Sequence, residues 1–194
     1  MMNPNDSIQE LVDGNMRFYG GKANHPNQAE ARRYELLAGQ HPFAVILTCS
    51  DSRVPPEIIF DRGIGDLFVI RTAGNVVDDV AIGSIEYAVE HLHTSLVVVL
   101  GHQGCGAVSA AVKGGDVGGH IASIIHRIQP AVAAAKGLVG DTLTNTVDLN
   151  VWNVVNKLKA SQPILGGLVK NGTIKIIGAR YDMDSGKVNL LPER

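Results

Sequence analysis

Four short apolar runs rich in β-branched residues place the strongest limit on the fold of this chain. They lack strict alternation of apolar and polar residues, and they cover residues 44–47, 67–70, 96–100 and 174–177. Runs of this kind are typical of strands that are buried on both faces of a parallel sheet. Helical patterns separate the second run from the third and the third from the fourth. The sequence therefore predicts an α/β fold with a mainly parallel sheet.

Helices and one edge strand are predicted in the rest of the chain. The first helix is expected to have Asp6 or Ser7 as its N-cap and to run to about Tyr19. Further helical segments are predicted over residues 28–38, 80–91, 107–112, 120–135, 143–160 and 163–169. After a turn at residues 184–186, residues 187–191 are expected to add a short edge strand. Because 194 residues show no linker, we expect one domain, with an N-terminal helical arm (1–40) and an α/β core (41–194).

The two cysteines of the chain follow two of the predicted strands. Cys49 comes after the first strand, and His102 and Cys105 come after the third. If the strand order is 2-1-3-4, the first and third strands are neighbours, and the loops at their carboxyl ends face each other. Two thiolates and one imidazole can hold zinc with its fourth position open, as catalytic zinc sites do. For either half alone, a buried free cysteine or a loop histidine is an equally good interpretation, but both halves together favour a metal.

Asp51 and Arg53 add a charged pair next to the first cysteine. The carboxylate of Asp51 either binds zinc itself or accepts a hydrogen bond from zinc-bound water, and Arg53 would keep it ionised. The alternative is an ordinary salt bridge within a loop. With a zinc site, the pair favours attack of zinc-bound hydroxide on a small electrophilic carbon.

Charge and hydropathy limit the other function classes. The chain has 17 basic and 19 acidic residues and a formal net charge of −2, which gives little support to nucleic-acid binding. The longest apolar stretch, around residues 96–100, is too short to span a bilayer.

The polar N-terminus lacks the apolar segment of a signal peptide, so we expect a cytoplasmic protein. A periplasmic or organellar form trimmed of its leader would have the same sequence.

Two motifs together closely resemble the signature of the β-class carbonic anhydrases. They are Cys-Ser-Asp-Ser-Arg at residues 49–53 and Gly-His-x-x-Cys-Gly at residues 101–106. The resemblance continues through residues 66–75, 84–89 and 178–182. It implies reversible hydration of carbon dioxide to bicarbonate and a proton by zinc-bound hydroxide. It also implies one zinc ion per chain, bound by Cys49, His102 and Cys105.

The resemblance also assigns roles to residues around the metal. Asp51 and Arg53 would form the catalytic dyad, and Asp51 would be the fourth zinc ligand in a closed state. The substrate-binding residues would be Gln40, nine residues before the first cysteine, together with Phe68, Ala73 and Tyr87. For Phe68 and Tyr87, simple core packing is an equally good interpretation.

One departure from the family pattern favours its plant-type, non-allosteric branch. The branch with a regulatory bicarbonate pocket has a tryptophan three residues before the first cysteine, where this chain has Ile46. Arg71 matches an arginine of that pocket, but without the tryptophan we expect no such pocket and an open zinc at neutral to alkaline pH.

The resemblance further implies a homodimer, or a homotetramer built as a dimer of dimers. Its N-terminal helices, within residues 6–40, would wrap the partner, and the pocket would lie between subunits.

Three other functions are considered beside this one. A hydrolase of carbonyl sulfide or carbon disulfide would use the same zinc site. A non-catalytic zinc-binding protein would keep the fourth position of the metal closed. A cysteine-nucleophile enzyme is disfavoured because a phosphatase loop has five residues between its cysteine and arginine, whereas three separate Cys49 from Arg53.

Overall fold

Five strands form one sheet in the computed structural model, which describes residues 2–193. The strands are β1 (Ala44–Cys49), β2 (Leu67–Thr72), β3 (Leu96–His102), β4 (Lys175–Tyr181) and β5 (Val188–Leu190). Their order is β2-β1-β3-β4-β5, and every neighbouring pair is parallel except β4 and β5, which are antiparallel. This confirms the predicted order 2-1-3-4 with an added edge strand.

Eight α-helices lie in the part of the chain that the structure describes. They are α1 (Pro4–Tyr19), α2 (Glu30–Glu35), α3 (Pro56–Ile59), α4 (Asp79–His91), α5 (Gly106–Lys113), α6 (Ile121–Ala135), α7 (Thr142–Ala160) and α8 (Ile164–Lys170). Two 3-10 turns cover Leu36–Ala38 and Ala73–Asn75. None of the helices within residues 2–193 combines the length and apolar character needed to cross a membrane.

The two faces of the sheet carry separate hydrophobic cores. On β1, Ile46 packs into one core with residues of α5 and α6, whereas Val45 and Leu47 pack into the other with residues of α4, α7 and α8. Successive side chains of a strand point to opposite faces, so a strand covered on both sides is apolar throughout. This is why the predicted strands show no alternation of apolar and polar residues.

The start of α1 differs from the prediction. Asn3 is the N-cap rather than Asp6 or Ser7, and its side-chain oxygen accepts hydrogen bonds from the backbone N–H groups of Asn5 (2.9 Å) and Asp6 (3.0 Å). Pro4, which follows it, suits the first turn of a helix because its missing N–H would have no partner there. Ser7 is instead buried, and its hydroxyl donates to the carbonyl oxygen of Phe43 at 3.1 Å.

The N-terminal arm packs on the core of its own chain. Leu11 of α1 is buried, and Asn15 of the same helix donates to the carbonyl oxygens of Ile59 (3.1 Å) and Gly186 (2.9 Å). The side-chain oxygen of Asn15 also accepts from Val188 N–H at 2.8 Å, which links α1 to the edge strand β5. The wrapping of a partner subunit by residues 6–40 stays a prediction, as does the division of the chain at residue 40.

Candidate metal centre

Three metal-binding side chains meet at the carboxyl end of the sheet. Cys49 is the last residue of β1, His102 is the last residue of β3, and Cys105 directly precedes α5. The two sulfur atoms lie 4.0 Å apart, and the ligand atoms of all three residues lie within 4.8 Å of one another. All three side chains are buried. The parallel pairing of β1 with β3 therefore brings the predicted ligands together.

Within residues 2–193, one ring nitrogen of His102 has no hydrogen-bond partner. Its Nδ1 lies 2.9 Å from the carbonyl oxygen of Gln103 and donates a hydrogen bond to it. Its Nε2 is buried and has no hydrogen-bond partner among the described residues. A buried polar atom without a partner is costly, and a metal ion would remove that cost. Two thiols and a free imidazole nitrogen form the Cys₂His donor set of catalytic zinc sites, so the residues fit this metal.

The sulfur atoms of Cys49 and Cys105 are within hydrogen-bonding distance of each other. The hydrogen bond from Cys105 lowers the pKa of Cys49 to about 4, against the effect of burial, with help from His102 and from the N–H groups of Gly74 and Asp51. The same contact with Cys49, together with burial, raises the pKa of Cys105 above its usual range. A zinc ion binds thiolates, so zinc binding at this site would be accompanied by proton release.

The turn after β2 donates a backbone hydrogen bond to the sulfur of Cys49. Gly74, in the Ala73–Asn75 turn, donates its N–H to the sulfur of Cys49 at 3.3 Å. Its φ of +67° is in the left-handed region, and a Cβ atom there would lie 2.9 Å from Cδ1 of Ile128. The carbonyl oxygen of Gly74 accepts a hydrogen bond from Asn150 of α7 at 2.9 Å, and Asn150 is buried. The sequence predicted neither of these two hydrogen bonds of Gly74. The only local signal was a glycine shortly after a predicted strand, which indicates an unusual backbone conformation but not its partners.

Asp51 and Arg53 form a two-pronged ion pair beside the ligands. Nε of Arg53 donates to Oδ1 at 2.9 Å, and Nη2 donates to Oδ2 at 2.7 Å. The side chain of Arg53 therefore holds the pKa of Asp51 well below its usual range. Oδ2 of Asp51 also lies 3.9 Å from the free Nε2 of His102, so the ionised carboxylate faces the place where the three ligands converge.

Arg71 fixes the backbone that carries Cys49 and Asp51. Its Nε donates to the carbonyl oxygen of Cys49 at 3.0 Å, and its Nη2 donates to that of Asp51 at 2.6 Å. The sequence matched Arg71 to an arginine of a regulatory pocket. In the structure it holds the loop after β1, next to the metal ligands.

The four predicted substrate residues lie in different places. Ala73 follows Thr72, which pairs with Cys49, so it is next to the metal ligands. Phe68 is four residues before Thr72 on β2, which places it roughly 13 Å along the strand from Thr72. Its ring lies 6.4 Å from that of Tyr87, which is 48% exposed. Gln40 is exposed in the segment before β1. Within one chain, Phe68 and Tyr87 contact each other rather than the metal ligands.

Comparisons with known proteins agree on one family. A family model described as carbonic anhydrase matches residues 44–188. Carbonic anhydrase 2 of Mycobacterium tuberculosis is 41% identical over 192 residues, which cover 97% of this chain and 93% of that protein. A carbonic anhydrase of Pseudomonas aeruginosa is 31% identical over 195 residues, covering 95% of this chain and 87% of that protein.

Solved structures give the same result. A tetrameric β-carbonic anhydrase of Sordaria macrospora superposes with a TM-score of 0.77 at 25% identity, covering 96% of this chain and 97% of that one. The Coccomyxa β-carbonic anhydrase in complex with acetazolamide superposes with a TM-score of 0.75 at 27% identity, covering 95% and 86%.

Proposed function

Because this chain belongs to the β-carbonic anhydrase family, whose members are zinc enzymes, we propose that it hydrates carbon dioxide reversibly at the centre formed by Cys49, His102 and Cys105. The observation that carries the proposal is the convergence of these three ligands, with Nε2 of His102 unpartnered, beside a carboxylate fixed by Arg53. The products would be bicarbonate and a proton.

Each residue of the centre has a defined task in this proposal. Cys49, His102 and Cys105 would hold the zinc ion. A bound zinc ion would supply a water molecule that is acidic enough to act as a nucleophile near neutral pH. The N–H of Gly74 stabilises the thiolate of Cys49, and the carbonyl oxygen of Gln103 orients the ring of His102.

Asp51 orients the nucleophile as a hydrogen-bond acceptor. Its carboxylate stays ionised because both oxygens accept hydrogen bonds from Arg53. This arrangement supports the open state, because a carboxylate held by Arg53 is not free to become the fourth zinc ligand as in the closed state. The isoleucine at position 46, where the allosteric branch has a tryptophan, likewise supports the non-allosteric branch.

The substrate pocket is proposed to need two subunits. Ala73 lies at the metal centre of its own chain, whereas Gln40, Phe68 and Tyr87 would serve the centre of the partner. The edge strand β2 is only partly buried along its length, and Tyr87 is exposed beside it, as expected for a surface that a second copy covers. We therefore propose a homodimer or a dimer of dimers.

Removal and return of the metal test this function. We expect zinc-loaded protein to hydrate carbon dioxide in a stopped-flow assay, protein stripped by a chelator to be inactive, and added zinc to restore the rate. The same preparations are assayed with carbonyl sulfide and carbon disulfide as substrates. Loaded protein that turns over either of these but not carbon dioxide would identify the related hydrolase instead, and loaded protein inactive on all three would indicate a non-catalytic zinc protein.

A further inference from the structure

A cavity lined by both apolar and polar side chains lies between α6, α7 and the segment that follows the Ala73–Asn75 turn. Its volume is about 270 Å³. A water molecule occupies roughly 30 Å³ in the liquid, so a small ion fits in this space together with several waters of its own. Cys49, His102 and Cys105 do not line the cavity, so it is separate from the metal centre.

Basic and amide side chains provide the polar lining. His126 and Arg127 come from α6, and Asn153 and Lys157 come from α7. Within residues 2–193, no aspartate or glutamate lines this cavity. The nearest carboxylate along the chain, Asp78, instead accepts the N–H of Ala81 at the start of α4.

Within residues 2–193, the two permanent charges of the cavity, on Arg127 and Lys157, have no partner of opposite sign. Among the described residues, neither Arg127 nor Lys157 has a carboxylate within salt-bridge distance. Nζ of Lys157 makes one contact, to the carbonyl oxygen of Val77 at 3.4 Å. Because the chain as a whole has a net charge of −2, this concave patch is a local region of positive potential in a slightly acidic protein.

The inner end of the cavity is held in place by Asn150. This residue is 1% exposed, it lines the cavity, and its amide group donates to the carbonyl oxygen of Gly74. Val154, also buried, lies beside it on α7. The inner wall is therefore preformed, and only the long side chains of Arg127 and Lys157 must be ordered when a ligand binds.

We propose that this cavity binds a small oxyanion of the type of phosphate or bicarbonate. Arg127 and Lys157 supply the positive charge, and His126 and Asn153 supply further N–H donors. Charge-assisted hydrogen bonds from a guanidinium and an ammonium group are the usual means by which proteins hold such anions. The proposal does not rest on the carbonic anhydrase activity, since binding requires no turnover.

An NMR titration of the zinc-loaded full chain tests the proposal. Potassium phosphate and potassium bicarbonate are added in separate series at constant ionic strength. We expect at least one anion to shift, saturably, the backbone amides of Val76 and Val77 and the side-chain amides of Asn150 and Asn153. The anion that binds more tightly identifies the source of the ligand, either inorganic phosphate or the product of the proposed reaction.

Charge-removing variants locate the binding. The double variant Arg127→Gln/Lys157→Gln is expected to weaken binding about tenfold or more, because two charge-assisted contacts are lost. Both side chains are exposed, so we expect the fold to be kept, and each single variant should show part of the loss. The control Lys113→Gln removes an exposed lysine at the end of α5, outside the cavity, and should bind like the wild type.

Three results would overturn the proposal. One is the absence of saturable shifts with both anions. Another is equal affinity in the wild type and the double variant. The third is a set of shifts confined to residues around Cys49 and His102, which would place the anion at the metal. Carbon dioxide hydration is tested separately by removal and return of the metal, so the two proposals can fail separately.

Discussion

Gly74 connects the metal centre to the helix behind the sheet through both of its backbone polar groups. Its N–H donates to the sulfur of Cys49, and its carbonyl oxygen accepts from Asn150. Hydrogen bonds to a coordinating sulfur stabilise its thiolate form and fix its position. The backbone conformation at this one residue therefore places a hydrogen-bond donor at the sulfur of a proposed zinc ligand.

The substitution Gly74→Ala is expected to weaken zinc binding and to destabilise the protein. The left-handed φ of +67° disfavours a side chain, and the new Cβ would collide with Ile128. We expect a loss of about 1–3 kcal/mol in the free energy of unfolding. Chemical denaturation measures this loss, and competition with a chelator measures zinc affinity.

Gly83→Ala is the matched control for that experiment. Gly83 lies inside α4, its φ is not in the left-handed region, and an added Cβ would meet no atom within 4 Å. Alanine in a helix is favoured over glycine by up to about 1 kcal/mol, so this variant should be as stable as the wild type or more stable. Equal zinc affinity in Gly74→Ala and Gly83→Ala would contradict the role given to Gly74.

The sequence predicted the metal ligands and the ion pair but not the residues that hold them. Cys49, His102 and Cys105 could be predicted because strand ends and ligand spacing are local features of the chain. Asn150 could not, because it lies in the middle of a long helix, 76 residues from the glycine it contacts. A buried asparagine in a helix has no sequence pattern that distinguishes it from an exposed one.

At the scale of elements, a buried carboxylate fixes the segment between α1 and α2. Asp61 accepts hydrogen bonds from Nε of Arg17 (2.5 Å) and from the backbone N–H groups of Asn24 (3.0 and 3.1 Å) and His25 (2.8 Å). Burial alone would raise the pKa of Asp61, but these donors lower it below its usual range. The ionised form of Asp61 therefore stabilises the packing of the N-terminal arm.

The substitution Asp61→Asn should destabilise the protein in a pH-dependent way. At pH 7 we expect a loss of about 1–3 kcal/mol in the free energy of unfolding, because charge-assisted hydrogen bonds are removed. Since the pKa is lowered in the folded state, the contribution of Asp61 is complete above the unfolded value of about 4. It is lost as the pH falls through the folded value, so the difference between wild type and variant should shrink in acid.

Denaturation at several pH values and equal protein concentration measures this difference. We expect any loss of zinc in acid to affect both proteins equally. The difference between their free energies of unfolding then reports the contribution of Asp61 alone. The control Asp13→Asn changes an exposed carboxylate of α1 and should have little effect at any pH. A stability difference between wild type and Asp61→Asn that grows as the pH falls would show that the ionised carboxylate does not stabilise the folded state.

The boundaries of the elements show which physical effects the sequence pattern does not contain. The apolar run that predicts the first strand covers residues 44–47 and so ends at Leu47. In the structure β1 continues to Cys49, since the hydroxyl of Thr48 is satisfied by the carbonyl oxygen of Leu100 at 2.9 Å inside the sheet. The short helix α3 was missed, since four residues are too few for an apolar repeat to be visible.

At the scale of the whole molecule, the site is proposed to be complete only in an oligomer. Phe68 of the edge strand β2 contacts Tyr87 of α4, and it lies roughly 13 Å along the strand from Thr72, which pairs with Cys49. A two-fold axis would place them at the ligands of the partner, since a two-fold interface uses the same surface of both subunits. The sequence alone could suggest this arrangement only through the family resemblance, because contacts between chains leave no periodic pattern.

Mixed dimers test whether two chains share each site. Asp51→Asn and the double variant Gln40→Ala/Tyr87→Ala should each be nearly inactive. When the two are co-expressed, half of the dimers should be mixed, and each mixed dimer should contain one intact site. Carbon dioxide hydration should therefore recover to about one quarter of the wild-type rate. A rate equal to the mean of the two variants would show that each site uses residues of one chain.

The most direct test of the central claim compares the hydration rate and the zinc content of Asp51→Asn with those of the wild type. We expect the variant to keep one zinc ion per chain, since its three ligands are unchanged, and to lose about 100-fold or more in kcat for carbon dioxide hydration. The control Asp116→Asn, an exposed carboxylate in the loop between α5 and α6, should keep both zinc and rate. Full activity in zinc-loaded Asp51→Asn would contradict the role of this carboxylate, and a wild type that binds no zinc would contradict the metal centre itself.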